Sequence, residues 1–204
     1  MANDTALDLA VDTSKPHSAR VLDYWLGGKD HFAADREAAE QILAVMPFMR
    51  DVSRMNRRFL ATVVRYLTDA GVRQFLDIGT GLPTADNTHE VAQRAAPDAR
   101  VVYVDNDPIV LSHAQALLTS TREGRCDYLQ CDARDVDAIL AGAARTLDFS
   151  QPVGITMLSV LHFIPAADDP YRIVARLLDA VPAGSYLAIT HAASDIAADA
   201  ISAA

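Results

Sequence analysis

The sequence is poor in cysteine, in basic residues and in long apolar runs, and each shortage excludes a class of protein. Two cysteines, Cys126 and Cys131, in 204 residues are too few for a disulfide scaffold and fit a reducing compartment. The 27 acidic residues outnumber the 18 basic ones, and the net charge of −9 argues against nucleic-acid binding. No apolar run could span a bilayer, and no basic and apolar leader begins the chain. We therefore expect a cytoplasmic protein without a nucleic-acid or membrane partner.

The sequence also lacks the spacings of common metal, phosphate and nucleophile sites. Neither His-x-x-x-His nor Cys-x-x-Cys occurs, and the neighbouring Asn87, His89 and Glu90 do not replace them. A G-x-S-x-G elbow and a P-loop are absent as well. We therefore expect no metal site, no serine-hydrolase chemistry and no P-loop phosphate site.

The sequence contains enough apolar residues for one buried core, and its pattern divides the chain into two parts. Half of the residues are hydrophobic. Residues 1 to about 16 predict a loosely docked arm, and residues 1–70 as a whole predict an N-terminal helical cap or lid, followed by a core over 71–204. Regular alternation of strands and helices in the core predicts a parallel sheet with helices on both faces. The predicted helices are 19–26, 33–45, 48–69, 86–95, 109–118, 136–144 and 170–180, and the predicted strands are 74–78, 100–104, 126–130, 153–158 and 185–190.

The long third helix carries an apolar set at helical spacing. We expect Phe59, a member of that set, to lie in the core. The full set is Phe48, Val52, Met55, Phe59, Val63 and Tyr66.

Between the first strand and its helix lies a glycine turn that has the form of a ligand-binding site. The strand ends in Asp77-Ile78, and the turn Gly79-Thr80-Gly81 follows. About 24 residues later the next strand ends in Asp105, where a Rossmann fold places an acid on a ribose hydroxyl. A dinucleotide site would need a third glycine at Thr84 and a free N–H at Pro83. The D-x-G-x-G order is instead typical of sites for S-adenosylmethionine (SAM), which has no phosphate and carries an ammonium group.

Several segments together resemble one bacterial family of class I SAM-dependent methyltransferases whose substrate is uncharacterised. The motifs that carry the resemblance are W-L-G-G-K-D-H-F, D-I-G-T-G-L-P-T and Y-V-D-N-D-P, with further matching stretches at 18–37, 56–60 and 160–165. It covers the chain from about Ser18 to His191. It implies an α/β fold: a Rossmann-like, three-layer α/β/α sandwich with a mainly parallel sheet and an N-terminal helical cap.

The chain departs from the family pattern at its last strands. The class I sheet has seven strands, and this sequence supplies five, so we expect a fold that lacks the last two. An open edge beside the fifth strand is a site of association. A homodimer is therefore one expectation.

The resemblance also implies which residues would bind SAM. Asp77 would hold the ammonium, directly or through water, and Asp105 would accept from the ribose hydroxyls. Plain structural alternatives stay open: a tight turn without a ligand, and helix caps for Asp105 and Asp132. Arg57 either meets the SAM carboxylate or is solvated. The residues assigned to the cofactor are Asp77, Gly79, Thr80, Gly81, Asp105, Asn106, Asp132, Ala133 and Ser159.

The segment after the fourth strand is where the resemblance places residues nearest the transferring methyl group. His162 could act as a general base, since imidazole titrates near neutrality; lining the site and a purely structural role stay open beside it. The loop after the first helix would close over the cofactor as a lid, unless it is an ordinary loop. The residues assigned to the substrate or lid are Tyr24, Gly28, Lys29, Asp30, Phe32 and Phe163.

These expectations converge on a SAM-dependent methyltransferase that acts on a small-molecule acceptor and releases S-adenosylhomocysteine (SAH). A SAM-binding module without transferase activity is the alternative. A nicotinamide oxidoreductase is a third hypothesis, which Pro83 and Thr84 disfavour. The sequence does not indicate the acceptor atom.

Overall fold

The computed structural model describes residues 12–117 and 120–192 as three helices followed by alternating strands and helices. Each predicted helix and strand is confirmed, with ends that differ by no more than two residues, although the predicted end of the fifth helix at residue 118 lies outside the described residues. Most of the expected N-terminal arm lies outside the described residues. The helices are α1 Ser18–Leu26, α2 Ala33–Val45, α3 Met49–Asp69, α4 Thr88–Ala95, α5 Pro108–Leu117, α6 Val136–Ala143 and α7 Pro170–Asp179; the strands are β1 Gln74–Ile78, β2 Arg100–Asp105, β3 Arg125–Gln130, β4 Gly154–Leu158 and β5 Tyr186–Thr190.

The five strands form one parallel sheet in the order β3-β2-β1-β4-β5. Parallel neighbours require crossover connections, and the helices between the strands supply them. The chain moves from β1 outward to β3 and then returns to β4 on the other side of β1. The loops that follow β1 and β4 therefore diverge, and a crevice at this switch point is where open α/β sheets bind ligands.

Alternating side chains along β1 supply both faces of the sheet with core residues. Phe75 packs with α3 and α4, whereas Leu76 and Ile78 pack on the side of α6 and α7. All three side chains are fully buried. Two helical layers enclosing the sheet give the predicted three-layer α/β/α fold.

The expected burial of Phe59 is wrong, because α3 buries a different stripe. Leu60, Val64 and Leu67 are at most 3% exposed and pack against the sheet, whereas Phe59 is 41% exposed. Both stripes have helical spacing and lie about 100° apart around the helix, so periodicity alone does not choose between them. The exposed stripe, which we call the α3 flank, comprises Phe48, Val52, Met55, Phe59 and Tyr66.

The position of α3 brings its N-terminal half to the ligand-binding edge of the sheet. A short turn joins α3 to β1, so the helix runs back along the sheet. Asn56 accordingly contacts Thr190 at the carboxyl end of β5. Like the later helices, α3 packs on the sheet. The division of the chain into a cap over 1–70 and a core over 71–204 stays a prediction.

Two features are absent from the described ranges. No helix within 12–117 or 120–192 is both long and apolar enough to cross a membrane. The same ranges contain no group of three or more His, Cys, Asp or Glu side chains arranged to hold a metal ion. The cellular location of the protein stays a prediction.

Candidate cofactor site

The glycine turn after β1 is built for close approach by neighbouring elements. Gly79 and Gly81 have φ angles of 73° and 66°, in the left-handed region that favours glycine. A Cβ on Gly79 would lie 1.9 Å from Cγ2 of Val160, but a Cβ on Gly81 would come no nearer than 3.9 Å to Leu22. The loop after β4 thus packs tightly against Gly79, and α1 lies beside Gly81.

Backbone N–H groups of this turn donate hydrogen bonds to residues at the end of β2. The N–H of Gly79 donates to the Val104 carbonyl at 2.8 Å, and the N–H of Gly81 donates to Oδ2 of Asp105 at 2.8 Å. The Thr80 hydroxyl donates back to the Asp77 carbonyl at 3.0 Å. These bonds join the turn and Asp105 into one unit.

Asp105 is not the cap of α5. Its Oδ1 accepts from the N–H of Asp107 at 3.0 Å, and Asp107 itself caps the helix by accepting from Ile109. Burial raises the pKa of Asp105, and the N–H groups of Asp107 and Gly81 oppose that shift. Each carboxylate oxygen keeps a second lone pair for a ligand hydroxyl.

Two hydroxyl groups hold the carboxylate of Asp77, which the resemblance assigns to the ammonium group, directly or through water. Its two carboxylate oxygens accept from the hydroxyls of Thr88 at 2.6 Å and Thr156 at 2.7 Å, and the residue is 5% exposed. Burial raises the pKa of Asp77, and the two hydroxyls oppose it. These hydrogen bonds tie β1 to β4 and to the start of α4. They could not be predicted from the sequence, because Thr156 is distant in the chain. The contact of Asp77 with an ammonium group stays a prediction.

Arg57 is held beside the start of α4 and is not a freely solvated side chain. It donates to Oδ1 of Asn87 at 3.3 Å, and its Nε is buried without a hydrogen-bond partner among the described residues. Burial lowers the pKa of Arg57, and the charge of Asp77 opposes this effect. Asn87 also accepts from the N–H of Thr84 at 3.1 Å. An unpaired buried guanidinium N–H next to a helix N-terminus is suited to a carboxylate.

At the end of β3, Asp132 is already paired with a guanidinium. Arg134 contacts Oδ1 of Asp132 through Nε at 2.8 Å and Oδ2 through a terminal nitrogen at 2.6 Å, and this pairing lowers the pKa of Asp132. The cap of α6 is Asp135, so a capping role for Asp132 is wrong. Ala133 is half-buried and Asn106 is exposed. Contacts of these residues with the cofactor stay predictions.

Beyond the glycine turn, the ends of β4 and β5 bring polar side chains together. Ser159 Oγ lies 3.3 Å from the Thr190 hydroxyl, which donates to Oδ1 of Asn56 at 2.8 Å. The His162 ring packs edge-to-face on His191 with 5.7 Å between centroids. The sequence pointed to Ser159 and His162, but the contribution of α3 and β5 depends on tertiary packing.

Phe163 extends this end of the sheet outward. Its ring lies 4.2 Å from that of His162 and is 61% exposed. The three residues Leu161–Phe163 form a short 3₁₀ turn after β4. The predicted substrate role of Phe163 stays a prediction.

The predicted lid loop is fixed to the helices around it. Asp30 donates its N–H to Asp23 at 2.9 Å, and its carboxylate lies 3.6 Å from His113 on α5. A Cβ on Gly28 would collide with the same Asp23 carboxylate, and Lys29 is exposed. This loop is tethered on two sides, and its lid role stays a prediction.

Two aromatic residues assigned to the lid have arginine partners. Tyr24 hydrogen-bonds Glu40 on α2 and lies under the Arg50 guanidinium, 5.5 Å from the ring centroid. Phe32 packs beneath Arg20, also at 5.5 Å. Tyr24 therefore contacts α2 and the start of α3, while Leu22 of α1 is the cap residue nearest the glycine turn.

A buried ionic cluster joins the N-terminal helices to the turn after β2. Nε of Arg20 lies 3.3 Å from Asp35 and 3.7 Å from Asp107, and all three side chains are at most 5% exposed. His17 is 3.1 Å from Asp107. These residues are far apart in the chain, so the sequence did not reveal the cluster.

Comparison with known proteins identifies the family. The chain matches the family described as S-adenosyl methyltransferase over residues 4–204. It is similar to a DUF574 family protein from Streptomyces avermitilis, with 46% identity, a TM-score of 0.91, and coverage of 94% of this chain and 74% of that one. It is also similar to a candidate methyltransferase from Thermobifida fusca, with 43% identity, a TM-score of 0.85, and coverage of 94% and 72%. No curated protein matches significantly. The chain therefore belongs to the S-adenosyl methyltransferase family and is a SAM-dependent methyltransferase.

Proposed function

We propose that the crevice between the loops after β1 and β4 holds SAM and that the chain methylates a small-molecule acceptor. The observation that carries the proposal is the unit made by the glycine turn and Asp105, joined at 2.8 Å. At Gly79 the space of a Cβ is filled by Val160, whereas at Gly81 the nearest side-chain atom, on Leu22, is 3.9 Å away. A bare turn beside a buried carboxylate fits a ligand that has hydroxyl groups and a short polar chain.

Arg57 and the start of α4 would receive the carboxylate of the amino-acid end. The buried Nε of Arg57 has no partner among the described residues, so a ligand oxygen would satisfy it. The positive end of the α4 dipole favours the same negative charge. Asp77 would act indirectly, since its Thr88 and Thr156 partners fix the position of the turn.

Asp105 would hold the ribose, and Asn106 and Ala133 would border the adenine. A carboxylate is the natural acceptor for two neighbouring hydroxyls. Asp132 could reach the adenine amino group with the lone pairs that Arg134 leaves free. Ser159 lies on the opposite side of the glycine turn, because β4 and β2 flank β1 on different sides.

When bound, SAM supplies a methyl group already activated by a sulfonium. The protein therefore has mainly to orient the acceptor and exclude water. Leu22 on α1 and Val160 after β4 provide apolar walls on two sides of the turn. The charged cluster of Arg20, Asp35 and Asp107 would keep α1 in place over the site.

Calorimetric titration tests this proposal. We expect SAH to bind in the micromolar range and NADH not to bind. Asp105→Asn keeps the size of the side chain and removes the charge, so we expect SAH affinity to fall about 100-fold, from two charge-assisted hydrogen bonds. Asp98→Asn is the matched control, because the Asp98 side chain is 68% exposed and stands just before β2, at the opposite end of that strand from Asp105.

Equal SAH affinity for the Asp105→Asn variant and the parent would refute the ribose role. Circular dichroism spectra of both variants should match the parent, which separates loss of binding from loss of fold. Tight SAH binding without conversion of SAM by a broad acceptor panel would favour the alternative, a binding module without transferase activity.

A further inference from the structure

The carboxyl ends of β4 and β5 carry polar side chains that cofactor binding does not explain. We call them the β4–β5 cluster and define it as Asn56, Ser159, His162, Thr190 and His191. The members come from α3, the segment after β4 and the end of β5. Asp105 lies on β2, on the other side of β1. The cluster is thus separated from the proposed ribose site by roughly two strand spacings, or about 10 Å.

The hydrogen bonds of the cluster have a fixed direction. The single hydroxyl proton of Thr190 is donated to Oδ1 of Asn56 at 2.8 Å. The 3.3 Å contact between Thr190 and Ser159 must therefore use the proton of Ser159. With its proton engaged, the Ser159 oxygen can only accept from a ligand. The Ser159 oxygen therefore favours a ligand that brings an O–H or N–H donor.

The two histidines lie at the same end of the sheet. Nδ1 of His191 lies 2.6 Å from the Ala192 carbonyl, which only accepts, so Nδ1 carries a proton. Partial burial, and secondarily the charge of His191, lower the pKa of His162, so this ring is neutral near pH 7. The ion pairs of histidine in the described ranges involve His17 and His113, not these two rings.

The backbone at Ser159 supports a functional role for the cluster. Ser159 has a φ of 58°, a left-handed conformation that costs about 1–2 kcal/mol for a residue with a Cβ. Asp169 has a similar φ, but there the side chain caps α7. Ser159 lies directly after β4 and begins no helix. Strain of this kind is retained where a binding or catalytic geometry requires it.

Exposed apolar side chains surround the polar groups. Val52 and Phe59 lie one helical turn before and after Asn56 on the α3 flank, and each is about two-fifths exposed. The Phe163 ring packs at a tilt against the His162 ring and is 61% exposed. A ligand with a flat apolar body and one donor group would satisfy both kinds of surface.

On the basis of the proposed function, we propose that the β4–β5 cluster binds the methyl acceptor and that the acceptor is an aromatic molecule bearing a hydroxyl group. Ser159 positions the hydroxyl, and His162 accepts its proton. The oxygen then forms a bond to the methyl carbon while the carbon–sulfur bond breaks, and that electron pair stays on sulfur. The imidazolium returns its proton to water. Binding of a carboxylate acceptor would require a cationic side chain, and binding of an ammonium acceptor would require an anionic one. The cluster contains neither.

Nuclear magnetic resonance of histidine-labelled protein tests the binding step without turnover. The probe is 2-naphthol added to the SAH complex, and 2-methoxynaphthalene is the matched compound without a donor. We expect 2-naphthol to shift the His162 and His191 resonances and to leave His89 unchanged. The ether should bind at least about tenfold more weakly, because it cannot donate to Ser159.

The outcomes separate this inference from the proposed function. Failure of SAH to bind would refute the proposed cofactor site. SAH binding with His162 and His191 unmoved by 2-naphthol, or equal affinity for the ether, would refute the acceptor site.

Turnover tests the role of His162 as a base. We expect His162→Gln to lower kcat for 2-naphthol about 100-fold and to remove the limb of the pH profile that follows the imidazole. 2-Naphthalenethiol, which is ionised near neutrality, should lose less than about tenfold, because it needs no base. Equal losses for both acceptors would show that His162 only positions them.

Discussion

Alanine at Gly79 and at Gly81 should destabilise the protein by different amounts, although both residues have a positive φ. At Gly81 the new Cβ has space, so we expect a cost of about 1–2 kcal/mol from the backbone, offset by about 0.4–1 kcal/mol of lost unfolded-state entropy. At Gly79 the Cβ would also lie 1.9 Å from Val160. Overpacking adds about 1–3 kcal/mol, which gives a total of about 2–4 kcal/mol. Urea unfolding of both variants measures the difference.

The double variant Gly79→Ala with Val160→Ala isolates the steric part of that cost. Val160→Ala alone should cost about 1–2 kcal/mol from lost packing. Together the two changes should cost less than their sum by about 1–3 kcal/mol, because the colliding methyl group is gone. If the costs are additive, or if Gly79→Ala is no worse than Gly81→Ala, the argument that the β4 loop closes on this turn is wrong.

Two further perturbations follow from the same structure. Arg57→Leu should weaken SAH binding about 100-fold but leave binding of 5′-methylthioadenosine, which lacks the amino-acid end, unaffected. Arg58→Leu, on the exposed side of α3, should change the affinity for neither ligand. Equal losses for both ligands in calorimetry would rule out a contact between Arg57 and the SAH carboxylate. Burial lowers the pKa of His89, whose Nδ1 pairs with the Tyr103 hydroxyl at 2.8 Å, so the folded state resists protonation. The free energy of unfolding should therefore fall as pH drops below about 6.5, by at most about 1.4 kcal/mol per pH unit, and His89→Gln should flatten that slope in urea titrations at several pH values.

Most of the fold could be predicted because local signals and global packing agree. Gly27 ends α1 with a φ of 84°, and β1 and β2 are buried in a parallel sheet, as the regular alternation of strands and helices indicated. The burial of α3 could not be predicted in the same way. Its two apolar stripes are nearly equal in spacing, and only the position of the sheet decides that Val64 is buried and Phe59 exposed.

In the site, too, residues placed by local sequence could be predicted, and residues whose partners are distant in the chain could not. The glycine turn, Asp105 and Ser159 were visible because each follows a strand directly, and parallel strands end at one edge of the sheet. The partners of Asp77 were not visible, since a hydrogen bond from Thr156 links residues 79 positions apart. Arg57 was identified but left undecided, because a sequence does not show whether a helical arginine faces water or a buried site.

The N-terminal helices and the cofactor crevice should behave as one cooperative unit. Arg20 joins α1 to Asp107, the backbone of Asp107 supports Asp105, and Asp105 in turn holds Gly81. Each link in this series is buried, so breaking one leaves a charged or polar group without its partner, at a cost of several kcal/mol for a charge. A ligand that bridges Asp105 and Arg57 would add a second connection between the sheet and the helices before it. Because α1 is connected to the glycine turn through these contacts, its order depends on the same residues that are proposed to bind SAM. The cap is therefore part of the structure of the site, whether or not it moves as a lid.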